Sequence, residues 1–349
     1  MRVPARRAAV LALAAALVVV APSRPLRAQD RAEAAAPADR PPFAEWLADF
    51  RAEAASLGVS AETLERELGG LEPVEQVVER DRTQAETVLT VEQYLQRRLT
   101  TALTRRARTE ARRYRTLLGR VARHYGVQSR VIVAVWGMES NFGRFSGVRP
   151  TIQALATLAW DGRRGALFRQ ELIHALEILD RGHIDSSKMK GSWAGAMGQP
   201  QFMPSSYLRY AEDFDGDGRR DIWGSTADIF ASVANYLKAH GWSDVETWGR
   251  EVRLPAGGAD PLFAAAGRRE TGCRAEREMS RPVPLAEWER RGVRTTAGRA
   301  LPRVDRDASL VQAGARAFLV YGNYEALLEY NCAHAYALSV GLLSDRIGR

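Results

Sequence analysis

The chain has 349 residues, of which 46% are apolar, 26% charged and 8% aromatic, the balance of a folded globular protein and not of a disordered, collagenous or coiled-coil one. Its formal charge of +8 is inflated by the first 28 residues, which hold five Arg and no acid; without them +3 remains for residues 29–349. So small an excess gives no ground for a nucleic-acid partner, and none is expected.

Residues 1–28 place Arg2, Arg6 and Arg7 ahead of an apolar run from Ala8 to Ala21, followed by Pro22, Pro25 and the small residue Ala28. That is the pattern of a secretory signal peptide. The run is too short to serve as a membrane anchor and no Cys follows it for lipid attachment, so an exported, periplasmic and unanchored protein is expected. Residues 29–42 are Ala, Pro and charge without an apolar period and read as a linker.

From residue 43 to 125 the pattern is helical, with Phe43, Trp46, Leu47 and Phe50 at i, i+3, i+4 and i+7 and a break at Gly69, Gly70 and Pro73. The Arg-rich stretch 91–123 reads as a solvated helix surface, with attraction to an acidic polymer as the sharper alternative. Residues 126–242 form a compact centre with helices expected over 128–140, 150–160, 165–181, 204–212 and 226–240. Between 243 and 315, Pro, Gly and alternating segments such as 251–254 and 281–285 replace helical periodicity, which predicts an inserted β subdomain. Helical pattern resumes at 311–319 and 333–347, so residues 316–349 are expected to return to the main body as C-terminal helices. The fold class is therefore α+β, mainly α, and the chain is read as a monomer.

Cys273 and Cys332 both lie in the exported part, where an oxidising compartment permits a disulfide. Closing a loop of this length is worth roughly 4 kcal/mol in the chain-entropy model, and two buried thiols remain the alternative.

The segment 131–138 is apolar or small on every side of a helix and ends at Glu139. Burial disfavours an ionised carboxyl and raises its pKa, into the range where Glu can give and later retake a proton. The following Ser140, Asn141, Phe142 and Gly143 read as a helix end opening into a turn, which puts Glu139 at the rim of a cleft. The competing reading is an ion pair with a guanidinium such as Arg144 that merely anchors the turn.

Several strings decide between the two. Glu139-Ser140-Asn141-Phe142-Gly143, Gly191-Ser192-Trp193-Ala194-Gly195-Ala196-Met197-Gly198 and Gln201-Phe202-Met203-Pro204 occur in order, followed by Asp213-Phe214-Asp215-Gly216-Asp217-Gly218, His240-Gly241-Trp242, Asn331 and Tyr336-Ala337-Leu338-Ser339. Together they resemble the membrane-bound lytic transglycosylase B family of peptidoglycan-cleaving enzymes. The resemblance implies a lysozyme-like helical core, a flanking α domain, a small β domain and a long saccharide groove.

It also implies that Glu139 is the sole general acid/base and that Ser192, Gln201, Asn331 and Tyr336 contact the sugar. Phe168 would be an aromatic wall of the groove, and Tyr94 a further groove residue. The activity implied is lyase-type cleavage of the glycan strands of murein, the peptidoglycan of the cell wall, at the bond between N-acetylmuramic acid and N-acetylglucosamine, leaving 1,6-anhydro ends. Two-carboxylate glycosidases place a second acid about 5–5.5 or 6.5–9.5 Å from the first. Asp161, Asp180 and Asp185 are available for that, but each sits where a helix end or turn would want an Asp anyway. A hydrolytic muramidase of the same fold and a catalytically silent murein-binding scaffold are the alternatives.

Residues 213–221 place acids at positions 1, 3, 5 and 9 of a loop with Gly at 6, the arrangement of an EF-hand calcium loop. The end departs from the pattern: position 12 is Gly224 and position 8 is Arg220. The family resemblance implies closure by a later acid, giving Asp213, Asp215, Asp217, the Arg219 carbonyl and Asp228 as ligands of a structural Ca²⁺. An Asp/Gly turn held by its own backbone bonds is the alternative. No cofactor is expected for catalysis.

Overall fold

The computed structural model describes residues 40–83 and 89–348, so the signal-type segment 1–28 and most of the linker lie outside the described residues. In chain order the first helices are α1 (Phe43–Ser56), α2 (Ala61–Leu68), α3 (Glu75–Thr83), α4 (Val91–Arg98), α5 (Thr101–Arg113), α6 (Arg115–Tyr125) and α7 (Ser129–Ser140). Side-chain oxygens start three of them: Ser60 accepts from the Thr63 N–H, Thr90 forms a reciprocal capping box with Gln93, and Thr100 accepts from the Leu103 N–H. The Arg-rich stretch is thus three helices, cut where Thr100 restarts the chain and where Tyr114 leaves helical geometry.

A two-residue strand β1 (Arg149–Pro150) leads into α8 (Thr151–Asp161) and α9 (Gly165–Asp180), and β1 pairs antiparallel with β2 (Lys190–Gly191). Helices α10 (Pro204–Tyr210) and α11 (Thr226–Ala239) complete the centre. All five helices expected between 128 and 240 are present within a few residues of their expected limits.

Helix α7 is the hub. Every side chain from Val131 to Met138 is buried, because α5, α6, α11 and the last helix pack around it from all sides. A second apolar cluster joins α1, α2, α8, α9 and α10 through Phe50, Leu68, Leu155, Leu176 and Phe202. The two clusters meet at Tyr236 and Tyr330, whose ring centroids are 4.6 Å apart.

The third cluster belongs to the inserted sheet. The insert comprises β3 (Gly249–Arg253), α12 (Asp260–Ala266), α13 (Arg274–Glu278), β4 (Val283–Pro284), α14 (Leu285–Arg290), β5 (Arg294–Thr295), β6 (Asp307–Ala313) and β7 (Arg316–Val320). The five strands run antiparallel in the order β4-β6-β7-β3-β5. Here the expected helix over 311–319 is wrong, and so is the boundary at 315. Residues 307–320 form a hairpin with Val311 opposite Phe318, turned at Gly314, whose φ is +62°. Apart from Asp307 and Gln312 both faces of this hairpin are buried, so its strands lack the apolar–polar alternation that distinguishes a strand from a buried helix. The sheet consequently extends to Val320.

The chain closes with α15 (Gly322–Tyr330) and α16 (His334–Ile347), the latter lying against α7. Cys273 and Cys332 are bonded, with Cα atoms 6.2 Å apart, and this bridge ties the start of α13 in the insert to the junction between α15 and α16. No helix among the described residues is long and apolar enough to cross a membrane.

One contact fixes how the loop after α7 meets β2. Gly147 has φ +95°, and a Cβ there would lie 2.0 Å from the Gly191 carbonyl carbon. Replacing Gly147 by Ala is therefore expected to destabilise the fold by about 2–4 kcal/mol, since both the backbone region and the close approach are lost. A denaturant midpoint unchanged within error would contradict this packing.

Candidate active site

The end of α7 is built by the string that follows its last apolar turn. Ser140 Oγ donates to the Trp136 carbonyl at 3.2 Å and accepts from the Gly143 N–H at 3.1 Å. Asn141 and Phe142 take left-handed φ values of 49° and 59°, a sharp stop that costs on the order of 1–3 kcal/mol per non-glycine residue. The Phe142 ring folds back over Gly137, where a Cβ would sit 2.6 Å from the ring, and meets Trp136 edge-on at 5.4 Å. This abrupt reversal leaves Glu139 half-buried at the rim of the helix end.

Burial pushes the Glu139 carboxyl up to about 7, against the opposing pull of the Tyr336 hydroxyl and the Arg98 charge. Some of its surface still reaches solvent although protein surrounds it densely, which is the condition of a group at the bottom of a crevice. Neither the Arg98 nor the Arg144 guanidinium locks it: Arg98 Nη2 donates instead to the Met138 carbonyl at 2.7 Å, and Glu139 is in no ion pair among the described residues. The anchoring alternative therefore fails.

Tyr336 of α16 faces the acid. Its ring is 5% exposed and stacks on Tyr330 at 6.1 Å with planes 19° apart. Its hydroxyl is enclosed and forms no hydrogen bond of standard geometry, yet lies close enough to the Glu139 carboxyl to favour the carboxylate. Burial first, and then the Glu139 charge, raise the Tyr336 phenol well above its ordinary range, with smaller contributions from Tyr330 and from half-buried Tyr94 on α4. Tyr94, Tyr330, Tyr336 and Glu139 thus share one electrostatic neighbourhood. Tyr330, absent from the expected set, donates from its hydroxyl to the Pro200 carbonyl at 2.7 Å.

The segment 191–202 folds into a tight loop beside this centre. Ser192 Oγ accepts from the Ala194 and Ala196 N–H groups at 3.2 and 3.1 Å, so the hydroxyl holds the loop's own turn. Gln201 has φ 53°, and its Nε2 donates to the carbonyls of Ser146 and Gly198, tying the loop to the segment after α7. Gln199 is the residue that motif reading passes over: its Oε1 accepts from the Trp136 indole N–H at 2.7 Å and its Nε2 donates to the Trp223 carbonyl at 2.7 Å. The signal for it is the buried Trp136, whose N–H needs an acceptor. Asn331 stands exposed at the end of α15, beside the disulfide.

Phe168 requires correction as a groove wall. It is 2% exposed, packed in the second apolar cluster under the Arg164 guanidinium, and offers no open ring face. Its place on the inward stripe of α9 follows from helical spacing with Leu172 and Leu176. The three acids available as a second carboxylate are engaged elsewhere as well. Asp161 pairs with Arg40 and Arg82, Asp180 accepts from Ser60, and Asp185 pairs with Lys188. No carboxylate contributes to the shift of Glu139.

The Asp-rich loop brings oxygens of Asp213, Asp215 and Asp228 within 4.8 Å of one another. Asp228 is fully buried: burial pushes its carboxyl up, the N–H groups of Phe214 and Asp221 oppose this, and the Asp215 charge adds to it. Asp217 is outside that cluster and accepts from the Arg219 N–H at 2.8 Å, while Asp221 is turned to the N–H groups of Trp223 and Gly224. Three convergent carboxylates, one of them buried among like charges, are a hard-oxygen donor set that suits a divalent cation.

Known proteins are similar to this chain in sequence and fold. Residues 42–345 match the family described as the transglycosylase SLT domain. Membrane-bound lytic murein transglycosylase B of Escherichia coli (strain K12) is 33% identical over 235 residues, which is 67% of this chain and 61% of that protein, so the match spans less than two thirds of the relative's length. The crystal structure of SltB3 from Pseudomonas aeruginosa in complex with NAG-anhNAM-pentapeptide is 42% identical with a TM-score of 0.80, covering 88% of this chain and 79% of that one. The Escherichia coli lytic transglycosylase Slt35 in complex with calcium is 26% identical with a TM-score of 0.71, covering 86% and 92%. The matched family spans the helical hub, the Glu139 crevice and the inserted sheet alike, and the chain belongs to the transglycosylase SLT domain family.

Proposed function

We propose that this protein is an exported lytic transglycosylase, acting in the periplasm on the glycan strands of peptidoglycan. It cleaves the β-1,4 bond between N-acetylmuramic acid and N-acetylglucosamine, with Glu139 as its only acid and base. The observation that carries this reading is a crevice carboxyl pushed up to about 7 with no second carboxylate acting on it. A relative 42% identical to this chain holds NAG-anhNAM-pentapeptide, which supports the substrate class.

The chemistry follows from the protonation state. Below pH 7 Glu139 is protonated and can donate to the glycosidic oxygen as the bond breaks. With no carboxylate to attack C1, the sugar's own 2-acetamido oxygen stabilises the anomeric centre. Glu139, now ionised, takes the proton from the muramic C6 hydroxyl as that oxygen closes onto C1. No water is added, and the product is a 1,6-anhydro sugar. A carboxyl at its ordinary value near 4.5 would be too little protonated for the first step, and one far above 7 too weak a base for the second. Tyr336 supplies a hydroxyl at the acid and Arg98 a charge that limits its rise. Gln201, Asn331 and Tyr94 would meet the sugar's amide and hydroxyl groups, and Ser192 would do so through the loop it holds closed.

Asp213, Asp215 and Asp228 would hold Ca²⁺, with the Asp217 carboxylate or the Arg219 carbonyl completing the shell. Oxygen ligands of this kind give the ion a structural part, since it offers no nucleophile to the sugar. The calcium complex of a relative supports that choice of metal.

Two outcomes test these readings. Murein digested with the protein should yield fragments ending in anhydro sugar, one water lighter than hydrolysis products, and Glu139→Gln should lower the rate by about 10³-fold or more. Reducing ends would instead establish the hydrolytic muramidase, and unchanged murein binding without any turnover of the parent protein the silent scaffold. Saturating Ca²⁺ is expected to stabilise the fold by about 2–4 kcal/mol relative to chelator, and Asp228→Asn to abolish the difference. Equal melting temperatures with calcium and with chelator would remove the metal from the account.

A further inference from the structure

The Asp-rich loop and helix α7 are distant in sequence, but one side chain, Gln199, joins them in the fold. On the loop side both oxygens of buried Asp228 are engaged: Oδ1 accepts from the Phe214 N–H at 2.8 Å and Oδ2 from the Asp221 N–H at 2.9 Å. Asp221 Oδ1 in turn accepts from the N–H groups of Trp223 and Gly224, and the Asp221 carbonyl from the Ser225 N–H at 3.1 Å. The place of the Asp228 carboxylate therefore sets the turn 221–225.

Gln199 grips that turn twice. Its backbone N–H donates to the Ile222 carbonyl at 2.9 Å and its Nε2 to the Trp223 carbonyl at 2.7 Å. The seat is tight, since a Cβ on the adjacent Gly198 would lie 2.7 Å from the Ile222 carbonyl oxygen. On its other side Gln199 Oε1 accepts from the Trp136 indole N–H at 2.7 Å, and a Cβ on Gly143 would collide with the same oxygen. Trp136 stands one helical turn before Glu139, and its carbonyl accepts from Ser140 Oγ and from the Phe142 N–H. Gln199 thus touches both limbs of the reversal that leaves the acid in the crevice: the last turn of α7 and the Gly143 bend.

We propose that Gln199 is a positioning residue that carries cation occupancy of the Asp-rich loop to the Glu139 end of α7, so that the ion governs turnover as well as stability. The proposal rests on the reading of the loop as a calcium site and goes beyond it, because an ion that merely braced its own loop would leave α7 untouched. Three carboxylates whose oxygens lie within 4.8 Å of one another repel unless a cation screens them. Screening keeps the Asp228 carboxylate against the Asp221 N–H; its loss loosens the turn that Gln199 holds, and with it the partner of the Trp136 indole. A parallel contact exists, since Phe230, two residues after Asp228, meets Trp136 edge-on at 5.1 Å. That ring contact keeps the indole in the core, whereas its N–H answers to Gln199 and so to the loop.

The direct readout is deuterium exchange of the Trp136 indole N–H, followed by NMR without substrate and assigned with Trp136→Phe. In the parent protein, saturating Ca²⁺ should slow this exchange about tenfold relative to chelator, within the usual range for coupled sites. On murein strands, chelator should lower kcat about fivefold and leave KM nearly unchanged. Gln199→Met keeps the side-chain length and loses both side-chain hydrogen bonds; it should still bind Ca²⁺ by calorimetry, yet show fast exchange and the lower kcat with or without the ion. Gln199→Glu, which keeps the acceptor for the indole but not the donor to Trp223, should be equally insensitive to calcium. Calcium binding that leaves indole exchange in the parent unchanged would overturn the coupling, and so would a calcium effect that survives both Gln199 changes, which would assign it to the Phe230 contact. Absence of calcium binding to the parent would overturn the cation reading and the coupling together. Failure of the parent to cleave murein would count against the proposed activity alone, since exchange is measured without substrate.

Discussion

The structure depends on one imbalance: a single carboxyl at the end of a helix that is buried on every side, with desolvation outweighing the hydroxyl and the guanidinium that favour its charge. An ionised acid is disfavoured where few waters can reach it, and it stays protonated near neutrality unless a cation comes close. Arg98 comes near but is held by a backbone carbonyl and not by the acid. Were it free to form a direct pair, Glu139 would fall back to an ordinary carboxylate and lose its use as a donor.

Holding that imbalance requires rigidity around the helix end. Helices α5, α6, α11 and α16 fix α7, and two glutamines fix the loops across from it. Gln199 links Trp136 to the Trp223 loop, and Gln201 links the 191–202 loop to Ser146. A functional group is only as well placed as the residues that hold its neighbours, and here that support combines apolar packing of four helices on α7 with loop hydrogen bonds made by two glutamines. The disulfide adds a covalent tie where Asn331 and Tyr336 begin, so the aromatic side of the crevice is braced from the inserted sheet.

Much of this was legible in the sequence because its causes are local. The all-round apolar run 131–138 ending in an acid could only be a buried helix with an expensive terminus, and the Ser-Asn-Phe-Gly that follows is what a sharp helix stop needs. The acids of residues 213–217 suggested a cation-type loop, and the return of α11 is what brings Asp228, eleven residues beyond Asp217, beside Asp213 and Asp215. What was illegible was set by tertiary context. Phe168 was assigned to the groove by the family resemblance, although its spacing with Leu172 and Leu176 sets it on the inward stripe of α9, and residues 311–319 looked helical because both faces of the hairpin are covered. Gln199 and Tyr330 carry no motif signal of their own, since their roles come from partners at Trp136, Trp223 and Pro200 that only the fold brings near.

The central claim is that Glu139 exchanges its proton near neutral pH because it is desolvated. Carbon-13 labelling of glutamate side chains, with Glu139→Gln to assign the signal, allows this one carboxyl to be titrated directly by NMR. The account predicts a midpoint near pH 7, protonated below and ionised above. A midpoint near 4.5, alongside the exposed glutamates, would contradict it.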